Sequence, residues 1–242
     1  MEKMVDNCVV GIFVDNADKK NNLTKNLVEY FVRRTPIRNV YMSVENKLEF
    51  GNEVNVARIP NRSLVNHSVQ IQERLIETNP ENKPIQSILI IDKIDLTSRT
   101  NINIFSNVRF YYLTIIITDP QSLIFSHAVR LNISYYFLSG CVNVRQRKLL
   151  WERYFSFFPT LNYFNGTIET ITKDGYMVLD KMCTSIDISK KVFKYNIMKN
   201  HTDELIMDDF SYASFVDGDD DAICKFVRHT KPCNKLHLVI EI

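Results

Sequence analysis

Apolar residues come in short bursts along this chain, separated by polar stretches in which hydrophobic positions recur at helical spacing. Cys8-Val-Val-Gly-Ile-Phe-Val14 is a β-branched and aromatic run that predicts a strand. A polar stretch, Asp15 to Asn21, follows it. Leu23, Leu27, Tyr30 and Phe31 then fall on one helical face, predicting a helix over 23–32. Asn39 to Ser43 predicts a second strand, and 66–78 a helix with Val69, Leu75 and Ile76 on one side. Ser87-Ile-Leu-Ile-Ile-Asp92 and Leu113-Thr-Ile-Ile-Ile-Thr118 are unbroken apolar runs, the composition of strands covered on both faces of a parallel sheet. Ser134 to Leu138 is a further strand candidate and 146–157 a basic, aromatic helix. The pattern over 170–179 predicts a hairpin turning at Asp174-Gly175. Strands alternating with helices predict an α/β three-layer domain with a mainly parallel central sheet. That domain is expected to span 1–197. The remainder, 198–242, is a less regular C-terminal extension, with an acidic cluster at Asp217–Asp221 and a strand-like end from His237 to Ile242.

Composition narrows the functional classes. The 242 residues, 45% of them hydrophobic, suffice for one sizeable core and are few for two. A net charge of +2 supplies no global field, so any nucleic-acid contact must come from local basic clusters. The five cysteines are odd in number and none are at CxxC spacing, which indicates neither a disulfide framework nor a zinc site. The acidic cluster lacks the Gly and Glu placement of a calcium loop, and the histidines show no ligand spacing. No apolar run approaches a membrane span, and the N-terminus lacks a secretory pattern. The expected compartment is therefore intracellular and reducing.

Three segments carry candidate chemistry. The first is the strand-to-helix passage after Val14. A phosphate-binding loop leaves a strand, wraps the anion with backbone N–H groups and enters a helix whose positive end faces it. A lysine pairs with the phosphates and a Ser/Thr hydroxyl holds magnesium. Lys20 stands in the lysine place and Asn21 in the hydroxyl place, but Val14 and Lys19 occupy the two glycine positions. The alternative is an ordinary strand–helix turn. The second segment is Ile88-Leu-Ile-Ile-Asp-Lys93, where Asp92 either serves a magnesium ion or simply ends a strand. The acid that would orient an attacking water is replaced by Lys93. The third runs from Arg109 to Asn132.

With that third segment the chain resembles a family: the DNA-packaging ATPases of large DNA viruses, of poxvirus, iridovirus and ascovirus type, within the FtsK/HerA superfamily of P-loop NTPases. In that family a strand ending in acids is followed by a Gly-Arg-His segment, then a buried strand ending near a Gln, a Pro-rich loop and an Arg-x-Asn. Here Asp92, Arg109, the strand Ile115-Ile-Ile117, Pro120-Gln121 and Arg130-Leu-Asn132 stand in the same order at similar spacing. The segments Leu149 to Phe155, Thr172 to Asp180 and Phe193-Lys-Tyr195 resemble the family's later helix, final hairpin and closing segment. The likeness covers about 8–197. Departures accompany it: Val108 and Phe110 flank Arg109 in place of Gly and His, and Gln121 is displaced by about one position.

The resemblance implies a P-loop NTPase-like three-layer domain that uses ATP and Mg2+. Lys20 and Asn21 would bind the nucleotide and Asp92 would hold the metal. Asp92, Arg130 and Gln121 would form the catalytic set, with Arg130 acting across a subunit boundary. It also implies a homo- or hetero-oligomeric ring acting on viral double-stranded DNA, with capsid proteins as further partners. The expected place is an assembly site in the host cytoplasm or nucleus, or the virion, with no membrane span. Arg145, Arg147, Lys148 and Arg153, interleaved with Trp151, Tyr154 and Phe155, are candidate contacts to a phosphate backbone; the alternative is a solvated helix face. The missing glycines and Lys93 imply weak or lost hydrolysis. That leaves, as the alternative, a non-catalytic scaffold or a DNA- or partner-binding subunit.

Overall fold

The structure, a computed structural model, describes residues 4–197 except 36, 38, 53, 79–84, 93–98, 119–126 and 141–143. Lys93, Asp119, Pro120, Gln121 and the whole of 198–242 therefore lie outside the described residues. The described chain divides into two compact units, 4–137 and 138–197.

The first unit alternates strands and helices. In chain order they are β1 (Val9–Val14), α1 (Ala17–Arg34), β2 (Asn39–Ser43), β3 (Asn55–Ile59), α2 (Leu64–Thr78), β4 (Ser87–Ile91), α3 (Arg99–Ser106), β5 (Leu113–Ile117), α4 (His127–Asn132) and β6 (Tyr135–Ser139), whose last two residues belong to the second unit. The strand order is β3-β2-β4-β5-β1-β6. The pairs β2–β3, β2–β4, β4–β5 and β5–β1 are all parallel. The α/β reading with a mainly parallel sheet is thus correct, and the runs at 8–14, 87–92 and 113–118 lie together in it. Every residue of β1, β4 and β5 is buried, as their unbroken β-branched composition requires of strands covered on both faces.

Helix α1 buries Leu23, Leu27, Val28 and Phe31 along one stripe. Gly11 in β1 sits where the sheet meets an aromatic side chain: a Cβ there would lie 3.3 Å from Tyr136 Cδ1. Phe13 stacks on the same Tyr136, with ring centroids 5.7 Å apart. Strand β3 was not legible in the sequence pattern, because its residues are largely exposed and form no unbroken apolar run.

The second unit contains α5 (Val144–Tyr154), α6 (Leu161–Ile171), β7 (Tyr176–Asp180), α7 (Ile188–Lys191) and β8 (Val192–Tyr195). The predicted hairpin over 170–179 is replaced by something else. Thr170 and Ile171 end α6, and β7 pairs antiparallel with β8 instead. The helix wins because Thr160 caps it, its side chain accepting from the Tyr163 N–H at 3.1 Å, while Phe164, Thr167, Ile168 and Ile171 are buried at helical spacing. Gly175 remains necessary in the turn: a Cβ would stand 2.8 Å from the Tyr195 carbonyl oxygen. Phe155, Phe158 and Phe164 form the aromatic centre of this unit, with centroids 5.1–6.2 Å apart.

Candidate functional site

Ligands of open parallel sheets bind beyond the carboxyl ends of the strands. In the first unit the register sets those ends side by side: Ile91 of β4 is level with Ile117 of β5, and β1 runs past them to Val14. The residue after β4 is Asp92 and the residue after β5 is Thr118. The Thr118 N–H donates to the Ile91 carbonyl at 2.8 Å, and its hydroxyl donates to Asp92 Oδ1 at 3.1 Å. From α1, Lys20 Nζ donates to the same Oδ1 at 3.1 Å. Lys20 and Asp92 are largely enclosed, with side-chain exposures of 13% and 22%. A single carboxylate oxygen therefore receives an ammonium from one helix and a hydroxyl from a neighbouring strand end, a charge-assisted arrangement stronger than a neutral bond.

The passage from β1 to α1 is shorter than the sequence pattern suggested. Only Asp15 and Asn16 lie between Val14 and Ala17, so most of the stretch 15–21 is helix, and Lys19 and Lys20 belong to its first turn. The physical cause is a strong local start signal. Asn16 caps the helix, its Oδ1 accepting from the Lys19 N–H at 2.9 Å, and Asp18 in the first turn complements the helix dipole. The Asn16 carbonyl accepts from the Lys20 N–H, also at 2.9 Å. A phosphate wrap turns a run of backbone N–H groups outward toward an anion. Here Asn16 itself takes the N–H groups of Lys19 and Lys20. Exposed Asp15 and Asp18 add negative charge at the same junction. This arrangement does not fit a triphosphate wrap. Among the described residues, no group of three His, Cys, Asp or Glu side chains is placed to hold a metal by itself.

The remaining candidates are dispersed. Asn21 is exposed on α1. Arg130 is partly exposed on α4, and its carbonyl accepts from the Tyr136 hydroxyl at 3.2 Å. Arg109 is exposed in the turn before β5. Gln121 lies outside the described residues. On α5, Arg147 pairs with Glu169, and Lys148 Nζ approaches Glu152 Oε1 at 3.8 Å. Arg145 is exposed and Arg153 half-buried. Thr118 was not among the sequence candidates. Its signal was plain in retrospect: a hydroxyl closing an all-apolar run, one strand over from an Asp that does the same. No described helix is long and apolar enough to cross a membrane.

In sequence, no family model matches the chain, and no curated protein matches it either. Solved structures do. The genome packaging NTPase B204 from Sulfolobus turreted icosahedral virus 2, in complex with AMPPCP, superposes with a TM-score of 0.52 at 9% identity, over 72% of this chain and 92% of that one. The fold is that of a P-loop NTPase. B204 of Sulfolobus Turreted Icosahedral Virus, described as a DNA-packaging ATPase, gives a TM-score of 0.50 at 11% identity, over 73% of this chain and 94% of that one. The NTPase fold also extends the likeness to the cytoplasmic domain of the Thermomonospora curvata Type VII secretion ATPase EccC. There the TM-score is 0.50 at 11% identity, covering 81% of this chain and 26% of that one. The B204 of Sulfolobus turreted icosahedral virus 2 has also been solved with ATP-gammaS, AMP and sulfate.

Proposed function

We propose that this chain is a DNA-packaging-ATPase-like protein of a large DNA virus, acting in genome encapsidation and virion assembly, with weak or lost ATP hydrolysis. Three observations support the packaging ancestry. The fold matches packaging NTPases over most of their length, the order of motifs resembles the viral packaging family, and Lys20 meets Asp92 at the carboxyl edge of the sheet. In this reading Lys20 and Asn21 are the remnant nucleotide contacts and Asp92 the remnant metal-facing acid. Arg130 and Gln121 are the remnant catalytic groups, set at a subunit boundary of a ring. Arg145, Arg147, Lys148 and Arg153 are the contacts to DNA.

The observation that carries the loss of hydrolysis is the junction between β1 and α1. It has two residues and a helix start capped by Asn16, where a phosphate wrap would need outward N–H groups. Lys93 compounds it by placing a cation where an acid would orient water. The same junction favours a second reading, a non-catalytic scaffold or a DNA- or partner-binding subunit working beside an active ATPase. Titration of a fluorescent ATP analogue with Mg2+, with turnover measured in parallel with and without DNA, tests the proposal. Binding weaker by one to three orders of magnitude than a working site is expected, because forgoing one or two hydrogen bonds to a charged phosphate, at about 1.5–3 kcal/mol each, costs about that much. Tight binding with DNA-stimulated turnover would refute it.

A further inference from the structure

We infer that Lys20, Asp92 and Thr118 form a structural clamp that holds α1 against the strand ends and takes over the charge compensation that a bound nucleotide and metal provide in a working NTPase. This rests on the proposal that nucleotide use is weak or lost. The three residues come from three separate elements. Lys20 is 72 positions from Asp92, and Thr118 is 26 positions from it. Both bonds are 3.1 Å and converge on the same oxygen, Asp92 Oδ1. Thr118 is itself buried, and its N–H is tied to the Ile91 carbonyl, so the hydroxyl is aimed by backbone pairing and not by a flexible loop.

The clamp gives Lys20 a role although the junction before it offers no anion seat. A largely enclosed carboxylate without a cation carries a desolvation penalty, and a largely enclosed ammonium without an anion carries the same one. Either group alone is therefore a liability, whereas the pair is tolerated. In a site built for nucleotide, the two charges are kept for their ligands, and ligand binding stabilises the fold by mass action. In a clamp they are kept for each other, and the ligand brings nothing.

Thermal unfolding of the full chain separates the two. The set comprises the natural protein, Lys20→Met, Asp92→Leu, the double variant and Thr118→Val, each with and without millimolar Mg-ATP. The clamp predicts that each charge-removing single variant melts about 4–8 °C lower, allowing for partial solvent access. The double variant should recover to within about 3 °C of the natural chain, since no stranded charge remains. Thr118→Val should fall by less than either charged single variant, and Mg-ATP should raise the melting temperature of the natural chain no more than that of Lys20→Met. If a single variant fails to fold, the double variant decides: folding near the natural midpoint supports the clamp, and failure overturns it. Singles that melt like the natural chain, or effects that simply add in the double, overturn the clamp and leave the proposed function standing. A Mg-ATP stabilisation of the natural chain that disappears in Lys20→Met overturns the clamp, and one as large as a working site gives overturns both.

Discussion

The carboxyl edge of the sheet and the basic face of α5 both hold ion pairs, and the Lys20–Asp92 and Lys148–Glu152 pairs differ in their exposure to water. Lys20 and Asp92 are mostly shielded from water, and Asp92 has a second donor in Thr118. On α5, Lys148 and Glu152 are 62% and 45% exposed and stand 3.8 Å apart, one helical turn from each other. Water and salt screen the α5 pair, and the entropy of two long side chains opposes it. The enclosed pair exchanges its partner for water less readily. The difference separates two roles for charge in one chain. At the sheet edge, charge answers to the fold. On α5, little is lost when Lys148 turns away from Glu152.

The sharpest break of this comparison is on α5. Replacing Arg145, Arg147, Lys148 and Arg153 together by Ala should abolish DNA retention at low salt while leaving the chain folded. If all four contact phosphates, the natural chain's affinity should fall about a hundredfold between 50 and 200 mM salt, through counterion release. A filter-binding series over salt reads this. Retention unaffected by the four substitutions would return α5 to a plain solvated face.

Next in size is an effect of alkaline pH in the second unit. Burial pushes the Tyr176 phenol up to about 12 from its ordinary value of 10, because the low-dielectric surroundings disfavour phenolate. The folded value lies above the unfolded one. The contribution of neutral Tyr176 is therefore fully present below about pH 10 and is lost as pH rises from 10 through 12. Tyr176→Phe should remove that part of the alkaline loss, about 2 kcal/mol by pH 12. Denaturant unfolding of both chains at pH 9 and pH 11.5 measures it, and identical alkaline losses would contradict the burial argument.

A smaller effect belongs to the junction. Asn16→Ala deletes the cap on α1 and should destabilise the chain by about 1 kcal/mol, whereas Asn16→Gly should cost only a few tenths. Equal losses for the two variants would mean that the carboxamide is not holding the helix start. Smallest of all, Lys148→Ala should change stability by less than about 0.5 kcal/mol. A loss comparable to that of Lys20→Met would erase the contrast between the two regions.

What the sequence showed and what it hid follow the same physical division. The buried strands were legible because burial on both faces forces an unbroken apolar run, as in Ile88 to Ile91 and Leu113 to Ile117. From such runs the meeting of Lys20 with Asp92 could be expected, given parallel strands and a helix leaving β1. The start of α1 was hidden because Asn16, Asp18 and two lysines make a polar stretch that reads equally as loop; only the cap distinguishes them, and it acts through one side-chain bond. The stretch 170–179 misled because Asp-Gly is a hairpin signal and the tertiary contacts of Phe164, Ile168 and Ile171 overrode it. Thr118 escaped attention because the resemblance pointed to Gln121, three residues further on.

The central claim is that this NTPase fold has kept the frame of a nucleotide site and lost its use. It is tested most directly by steady-state ATP hydrolysis, with Mg2+ and with DNA, of the natural chain beside Asp92→Ala and beside a variant carrying Val14→Gly, Lys19→Gly and Lys93→Asp. The account predicts no turnover that depends on Asp92 in the natural chain. It also predicts none in the triple variant, because glycine at 14 and 19 does not lengthen the two-residue junction that Asn16 closes. Robust hydrolysis by the natural chain, abolished by Asp92→Ala, would contradict the account and make the protein an active packaging motor.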